Sequence, residues 1–278
     1  MLSFAKIFLM TVEQFFKHLL EELESHPTLK GYYRFLNDSK SFEFRKAYYV
    51  QRLEYIEQQV KNVNGPIWDI GCGYGTTAIF LALNGYKVHG STLEYYFSEI
   101  PQRLEFWKKY GDISGFTFDY ENLYDSTPPK EHYAAVIVQD TLHHTEPIDE
   151  ALKIIKSCLE QNGKVIAVEE NGNNWIQSLK LYKQRGNKRI IEYHDERLGK
   201  TILLGNENIR SYAHWKSLFE KEGFKMVDDS VHYVRLYPPM LFKGATESIV
   251  AKEQRIWRSN RFLKERFFFG LNFCAFKP

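Results

Sequence analysis

Short apolar runs alternate with segments of helical spacing from residue 63 onward. Such alternation is typical of a parallel α/β sheet, in which each strand is followed by a helix that covers the sheet. The run Tyr133–Gln139 is apolar at all but its last position, as expected of a strand buried on both faces. The pattern predicts strands at 66–70, 86–91, 115–119, 133–139, 164–170, 225–236 and 266–276.

The segments between these strands are predicted to be helices, at 76–84, 94–110, 148–161 and 208–223. Gly85 ends the first of them, and Asn162-Gly163 is a common stop signal for the third. Both are places where the chain must leave helical geometry.

Three parts of the chain lie outside this alternation. Residues 1–62 read as helices with breaks near His26-Pro27 and Asn37-Asp38, which predicts a helical cap before a core domain over 63–278. Residues 171–208 have no clear strand period and predict a lid-like insertion after strand five. Residues 238–264 predict a second insertion, after strand six.

Residues 69–75 are the most informative segment for chemistry. They read Asp-Ile-Gly-Cys-Gly-Tyr-Gly, directly after the first strand and directly before the first helix. A glycine loop at this place lets a small ligand approach bare backbone and the positive end of a helix. A dinucleotide-binding loop would need a further glycine at position 76, where this chain has Thr76.

The motif Asp69-x-Gly71-x-Gly73-x-Gly75 resembles the first motif of class I S-adenosylmethionine-dependent methyltransferases. The resemblance implies a doubly wound, mostly parallel, seven-stranded Rossmann-like sheet. It also implies S-adenosyl-L-methionine as cofactor and S-adenosyl-L-homocysteine as product. Asp69 would anchor the amino end of the cofactor, whose methionine part would lie against Gly71, Cys72, Gly73, Tyr74 and Gly75.

The same resemblance assigns further cofactor residues after strands two and three. The ribose-binding acid of the family falls on Thr92, and Glu94 follows two residues later, so either residue could contact the ribose. Glu94 could instead be an ordinary acid at a helix N-terminus. Phe118-Asp119-Tyr120-Glu121 resembles the turn that reads adenine, with Asp119 and Tyr120 at the ring; Asp119 could also simply cap that turn.

Strand four ends in Gln139-Asp140-Thr141-Leu142-His143-His144, which resembles the loop of the ubiquinone/menaquinone-methyltransferase-like group. Gln139, Asp140 and Thr141 would line the cofactor, and a histidine would point toward the acceptor. A histidine suits a base that takes a proton from a hydroxyl. His144 is the first candidate for this base and His143 the second, and O-methylation is favoured for this reason; His194 and His214 are weaker candidates.

The acceptor is expected to be a small aromatic or lipid-like molecule. The N-terminal helices and the insertion at 171–208 carry enough aromatic side chains to wall a pocket, although each could equally be ordinary packing. These residues are Tyr48, Tyr49, Trp175, Tyr182, Tyr193, Tyr212 and Trp215. Arg45 could pair with the cofactor carboxylate or lie on the surface. The basic run Arg255, Arg258, Arg261, Lys264, Arg266 is a solvated helix face or an attractor of anions.

Composition narrows the partners and the compartment. The chain has 37 Lys and Arg against 35 Asp and Glu, and a net charge of +2 predicts no general attraction to nucleic acid. No segment approaches the ~20 apolar residues of a membrane span. Cys72, Cys158 and Cys274 are widely spaced without a CxxC pair, which predicts reduced thiols, a cytoplasmic location and no metal site.

Three other functions stay open at this point. The Gly-x-Thr-Leu arrangement at 90–93 resembles the cyclopropane-synthase branch, which transfers carbon to lipid alkenes. A nucleic-acid or protein methyltransferase would show a basic stripe, or Asn/Asp-Pro-Pro-Tyr after strand four, where this chain has Asp140-Thr141-Leu142-His143. A non-catalytic protein that binds the cofactor as a sensor or scaffold is the third.

Overall fold

The structure, a computed structural model, describes residues 9–93, 96–242 and 245–278. The strands in these ranges are β1 (Ile67–Ile70), β2 (Val88–Thr92), β3 (Phe116–Tyr120), β4 (Tyr133–Gln139), β5 (Leu159–Glu170), β6 (Ile190–Asp195), β7 (Lys200–Gly205), β8 (Lys225–Val234) and β9 (Gly270–Phe276). The helices are α1 (Val12–Ser25), α2 (Pro27–Tyr33), α3 (Phe42–Val60), α4 (Thr76–Leu83), α5 (Tyr96–Trp107), α6 (Ile148–Cys158), α7 (Trp175–Arg185), α8 (Tyr212–Lys221), α9 (Thr246–Ser259) and α10 (Arg261–Phe267).

Seven strands form one sheet in the order β3-β2-β1-β4-β5-β9-β8. Strands β1 to β5 are parallel, whereas β9 is antiparallel to both β5 and β8. The chain winds from β1 outward to β3 and then returns to place β4 on the other side of β1. The predicted doubly wound, mostly parallel α/β sheet is confirmed. Ligands of such sheets bind beyond the carboxyl ends of the strands, where the strand order reverses.

The centre of this sheet is covered on both faces. All four residues of β1 are buried, and 135–138 in β4 are fully inaccessible to solvent. Helix α4 is buried along its whole length, because α1 packs over its outer side. The rings of Phe15 on α1 and Phe80 on α4 meet edge to face, with their centroids 5.2 Å apart. Helix α1 therefore belongs to the same apolar core as the sheet.

The N-terminal helices begin and end at local sequence signals. The side chains of Thr11 and Gln14 form a capping box at the start of α1. The predicted breaks near His26-Pro27 and Asn37-Asp38 lie between α1 and α2, and between α2 and α3. The division into a cap at 1–62 and a core domain at 63–278 stays a prediction.

Several element boundaries differ from the predicted ones by a few residues, and two of them show why. Helix α6 ends at Cys158 instead of residue 161, because Leu159 already pairs with Tyr133 of β4. The last strand begins at Gly270 instead of residue 266, because α10 continues to Phe267. In both places pairing within the sheet decides the boundary, and that pairing depends on distant segments.

The insertion at 171–208 contains helix α7 and an antiparallel hairpin of β6 and β7. Sequence patterning missed this hairpin because β6 has no buried apolar face. Its Ile190 and His194 are exposed, and Asp195 is its one buried residue. Residues 238–264 contain a short turn and helix α9. None of the helices in the described ranges has both the length and the apolar character needed to cross a bilayer.

Candidate active site

A cavity of about 670 Å³ opens beyond the carboxyl ends of the parallel strands, a size that suits a small-molecule site. The loops that follow β1, β2, β3 and β4 line it, together with α2, α3 and the β6–β7 hairpin. Predicted cofactor residues in its wall are Asp69, Gly71, Cys72, Gly73, Tyr74, Thr92, Gln139, Asp140 and Thr141. The sheet reversal and the glycine loop thus meet at one cavity.

The glycine loop depends on bare backbone at two of its positions. Gly71 has φ +69°, and a Cβ there would lie 2.4 Å from Oγ1 of Thr141. Gly73 has φ +54°, and its nearest neighbour to an added Cβ would be Tyr96 at 4.0 Å, so that carbon would project into open space. The N–H groups of Gly71 and Cys72 both donate to the carbonyl of Ser91, which fixes the loop against β2.

Gly75 has a different role from the one predicted. It does not line the cavity, and an added Cβ would lie 2.8 Å from the ring of Phe116. This glycine permits close packing between the loop and β3.

Asp69 is an acid inside the fold with an unsatisfied atom. Its side chain is buried, its Oδ2 accepts no hydrogen bond from the residues that the structure describes, and burial raises its pKa to about 7. A buried carboxylate of this kind calls for a cationic or donating partner. An ammonium group in the cavity would supply one, so Asp69 and the glycine cradle fit the amino-acid part of the predicted cofactor.

The loops after β2 and β3 match the prediction only in part. Thr92 lines the cavity, and Glu94 lies outside the described residues. Asp119 is not in the cavity wall: its side chain is exposed and lies 3.9 Å from Nε2 of His89. Tyr120 also lies elsewhere, and its hydroxyl donates to Asp195 on β6 at 2.6 Å.

Glu121 and Asn122 line the cavity instead of Asp119 and Tyr120. The physical reason is strand geometry, because successive side chains of β3 point to opposite faces and the cavity lies beyond the end of the strand. Family spacing alone cannot give this offset.

The loop after β4 is organised by Glu169, a buried acid near the end of β5 that sequence reasoning missed. Its Oε1 accepts from the N–H groups of Thr141 and Leu142 at 3.0 and 2.7 Å. Its Oε2 lies 2.5 Å from Nδ1 of His143. Burial opposes the charged form of His143, but the carboxylates of Glu169, Asp140 and Glu207 together outweigh burial and raise the His143 pKa to about 9. His143 is buried and absent from the cavity wall, which speaks against the predicted role as a base.

His144 lies in the cavity wall, as predicted for the first catalytic candidate. Its Nδ1 donates to the backbone carbonyl of Gly205, at the end of β7, over 2.9 Å. A carbonyl can only accept, so this bond assigns the proton to Nδ1 and leaves the lone pair on Nε2. His194 and His214 are both exposed and outside the cavity wall.

Aromatic side chains from the N-terminal helices and the hairpin form one part of the cavity wall. We define the aromatic wall as Tyr32, Tyr33, Tyr48, Tyr49 and Tyr193. Leu203 and Leu204 of β7 adjoin it. The sequence predicted Tyr48, Tyr49 and Tyr193, whereas Tyr32 and Tyr33 were missed.

The other predicted pocket aromatics lie elsewhere. Trp215 is fully buried in the core, and Trp175 and Tyr182 are exposed. The hydroxyl of Tyr212 donates to Asp228.

Three arginines reach the cavity, and only Arg45 had been considered from the sequence. The Nε of Arg45 donates to Oγ of Ser41 at 3.2 Å. Arg52 forms an ion pair with Asp140, and Arg235 lies 3.6 Å from a carboxylate oxygen of Glu170. The cavity therefore combines aromatic surface with three arginines, two of which face carboxylates.

Comparison with known proteins gives one family match. A family model described as a methyltransferase domain matches residues 41–229. No curated protein matches the chain by sequence.

Solved structures with this fold share little sequence with the chain. An S-adenosylmethionine-dependent methyltransferase from Mesorhizobium loti is 14% identical, with a TM-score of 0.50 over 87% of this chain and 100% of that one. Phosphoethanolamine N-methyltransferase 2 from Haemonchus contortus, in complex with S-adenosyl-L-methionine, is 17% identical, with a TM-score of 0.54 over 88% of this chain and 59% of that one. The [4+2]-cyclase SpnF is 14% identical, with a TM-score of 0.53 over 82% and 80%. At these identities the likeness concerns the fold.

Proposed function

Because the chain belongs to the class I S-adenosylmethionine-dependent methyltransferases, we propose that it methylates a small-molecule acceptor held against the aromatic wall. One observation carries this proposal. The glycine loop and Asp69, whose Oδ2 accepts no hydrogen bond from the described residues, share a single cavity with the aromatic wall and with His144. A donor and an acceptor bound there would be next to each other, as an in-line transfer requires.

The residues proposed to hold the cofactor are those of the cavity wall. Asp69 would pair with the ammonium group, and Gly71 and Gly73 would accept the methionine part against backbone. Thr92 would lie near the ribose, and Glu121 would be close to the base in place of Asp119. The bound cofactor supplies a methyl group on a sulfonium, which is already reactive, so the protein's main task is to align the acceptor and exclude water.

The aromatic wall favours an acceptor whose main part is aromatic or lipid-like. Tyrosine rings and the leucines of β7 offer apolar contact, while Arg45 and Arg235 offer positive charge to a carboxylate or phosphate. Oxygen stays our first choice for the methylated atom, because the imidazole of His144 lines the same cavity. The relative from Haemonchus contortus carries an N-methyltransferase name, so amines belong in the test. We also keep a reducing, cytoplasmic setting in the proposal, since Cys72, Cys158 and Cys274 are all free thiols.

The proposed cofactor-binding site is tested by calorimetry, in which S-adenosylhomocysteine is titrated into the natural chain and into the variant Gly73→Val. The Cβ of the new side chain would lie 4.0 Å from its nearest neighbour, Tyr96, at the cavity wall, so valine there would occupy space that the cofactor needs. We expect micromolar binding by the natural chain and none by the variant. Gly85→Val is the matched control, because Gly85 also has positive φ, at +83°, with no atom within 4 Å of an added Cβ. Both variants should lose about 1–2 kcal/mol of stability from backbone strain. Equal affinity of the two variants for S-adenosylhomocysteine would refute the proposed cofactor-binding site.

The acceptor class is tested by turnover with phenols, amines, thiols and an unsaturated phospholipid, with products identified by mass. Methylated phenols would support the proposal. Methylated amines would support methyl transfer and correct the atom. A methylene-bridged lipid would favour the cyclopropane-synthase alternative. Absence of every product, with the cofactor still bound, would favour the non-catalytic alternative.

A further inference from the structure

We propose that His143, His144 and Glu207 form a binding site for a divalent transition-metal ion at the edge of the cavity. Nε2 of His143 and Nε2 of His144 each lie 3.9 Å from a different carboxylate oxygen of Glu207. One ligand atom from each residue lies within 4.8 Å of the others. The binding of a metal ion at this site does not depend on the proposed function. A role for that ion in the reaction does rest on the proposed function.

Both histidines are prepared as ligands by the bonds of their other nitrogen. Nδ1 of His143 donates to the carboxylate of Glu169, and Nδ1 of His144 donates to the carbonyl of Gly205. Metal-binding histidines almost always donate their second ring N–H to a carboxylate or a backbone carbonyl in this way, which orients the ring and the coordinating lone pair. Here both Nε2 atoms converge on the same carboxylate. The two Nδ1 hydrogen bonds distinguish this cluster from three polar side chains that happen to be close.

The backbone holds the two halves of the site together. The N–H of Gly205 donates to the carbonyl of His144 at 2.8 Å, and the N–H of Asn208 donates to the carbonyl of His143 at 3.0 Å. A Cβ on Gly205 would lie 2.1 Å from the carbonyl oxygen of His143, so this close approach requires glycine. Glu207, which lies between Gly205 and Asn208, is thereby brought to the histidine pair.

The three donor atoms, which now lie within 4.8 Å of one another, must approach each other to reach coordination geometry. Metal–nitrogen and metal–oxygen bonds near ~2.1 Å place adjacent donor atoms roughly 3.0–3.4 Å apart. The Glu207 side chain is 42% exposed and that of His144 is 45% exposed, so both can move. His143 is buried and serves as the fixed ligand.

The donor set selects the class of ion. Two imidazoles and one carboxylate suit Zn²⁺, Fe²⁺, Co²⁺ or Mn²⁺ better than Ca²⁺ or Mg²⁺, which prefer oxygen ligands only. Three protein ligands leave coordination positions open. Because His144 lines the cavity, an open position would be accessible from the acceptor space. If the proposed function holds, an acceptor hydroxyl on the ion would lose its proton more easily. His144 would then be a ligand in place of a base, since Nε2 has one lone pair.

The test titrates the full chain, without a histidine tag and after chelator treatment, with Co²⁺ followed by visible absorption and with Zn²⁺ followed by calorimetry. We expect one equivalent of each ion to bind. Glu207→Gln and His144→Gln should each weaken that binding at least tenfold. His194→Gln is the matched control, because His194 is an exposed histidine on β6 and is not part of the cluster.

Far-ultraviolet circular dichroism and urea unfolding are measured on every variant to show that the fold is intact. Metal binding that is absent from the natural chain, or unchanged in Glu207→Gln, would overturn the site. Stoichiometric metal binding lost in Glu207→Gln would establish it, even if no cofactor binds, in which case the proposed function alone would fail. Turnover that is unaffected by metal removal would overturn the role of the ion in the reaction and leave the site standing.

Discussion

At the scale of single residues, Asp69 lowers the stability of the fold at neutral pH. Its carboxylate is buried at the wall of the cavity, and burial raises its pKa to about 7 from an ordinary value of 3.8. The folded chain therefore binds a proton between these values that the unfolded chain has lost. By linkage, the free energy of unfolding falls as pH rises from about 4 to about 7 and then levels off. An ammonium group bound beside the Asp69 carboxylate would remove this loss of stability.

Asp69→Asn should stabilise the cofactor-free chain at pH 8 and weaken cofactor binding. Removing a buried charge gains up to ~4 kcal/mol for a shift of this size, and burying an unpaired amide loses ~1–3 kcal/mol. We expect a net gain of about 1–2 kcal/mol in urea unfolding at pH 8, and little or no gain at pH 4.

The same variant should bind S-adenosylhomocysteine at least tenfold more weakly in calorimetry. Asp229→Asn, at an exposed acid, is the control and should change neither quantity. A destabilised Asp69→Asn chain at pH 8, or one with full affinity, would contradict the role given to this carboxylate.

At the scale of elements, α1 and α5 meet at a buried ion pair that also supports the glycine loop. Glu22 of α1 accepts from Arg103 of α5 at 2.9 and 2.7 Å, and from Nε1 of Trp107 at 2.9 Å. Arg103 in turn donates to the carbonyl of Tyr74 and to Oγ1 of Thr76. The N-terminal helix is thus connected through one guanidinium group to the start of α4.

Glu22→Gln should destabilise the chain by about 3–5 kcal/mol, because it leaves the Arg103 guanidinium buried without a counter-charge. Glu21→Gln is the matched control on the same helix, where a half-exposed acid contacts Tyr110, and should cost at most about 1 kcal/mol. Urea unfolding of both variants gives the comparison. Similar losses would show that the buried pair contributes no more than a surface contact.

At the scale of the whole molecule, the cavity is assembled from segments that are far apart in the chain. Loops from the parallel half of the sheet, the N-terminal helices and the hairpin after β5 all contribute side chains. A ligand that binds only this assembled state stabilises the entire fold by mass action.

S-adenosylhomocysteine at 100 times its dissociation constant should therefore add about 2.7 kcal/mol to the free energy of unfolding. In a chain of this size the melting temperature should rise by roughly 5–8 °C in a thermal scan. NAD⁺ is the control ligand and should give no rise, because the loop lacks the third glycine of a dinucleotide site. An equal rise with NAD⁺ would contradict the reading of the glycine spacing.

The sequence by itself determined the features that depend on local geometry. A glycine with φ +54° at position 73 and an apolar strand at 133–139 are requirements of a few consecutive residues, so pattern and spacing reveal them. The order of strands and helices followed from the same kind of signal, and with it the fold class, whereas the cofactor followed from the resemblance of residues 69–75 to the first motif of a known family.

Only the tertiary structure decided which distant side chains meet. Glu169 holds His143, Glu207 lies beside both histidines, Arg52 pairs with Asp140, and Glu121 takes the position expected of Asp119. Nothing in the spacing along the chain connects these pairs, because strand register and the docking of the hairpin set them. These contacts arise when the sheet assembles and buries its apolar faces, which is a property of the whole chain.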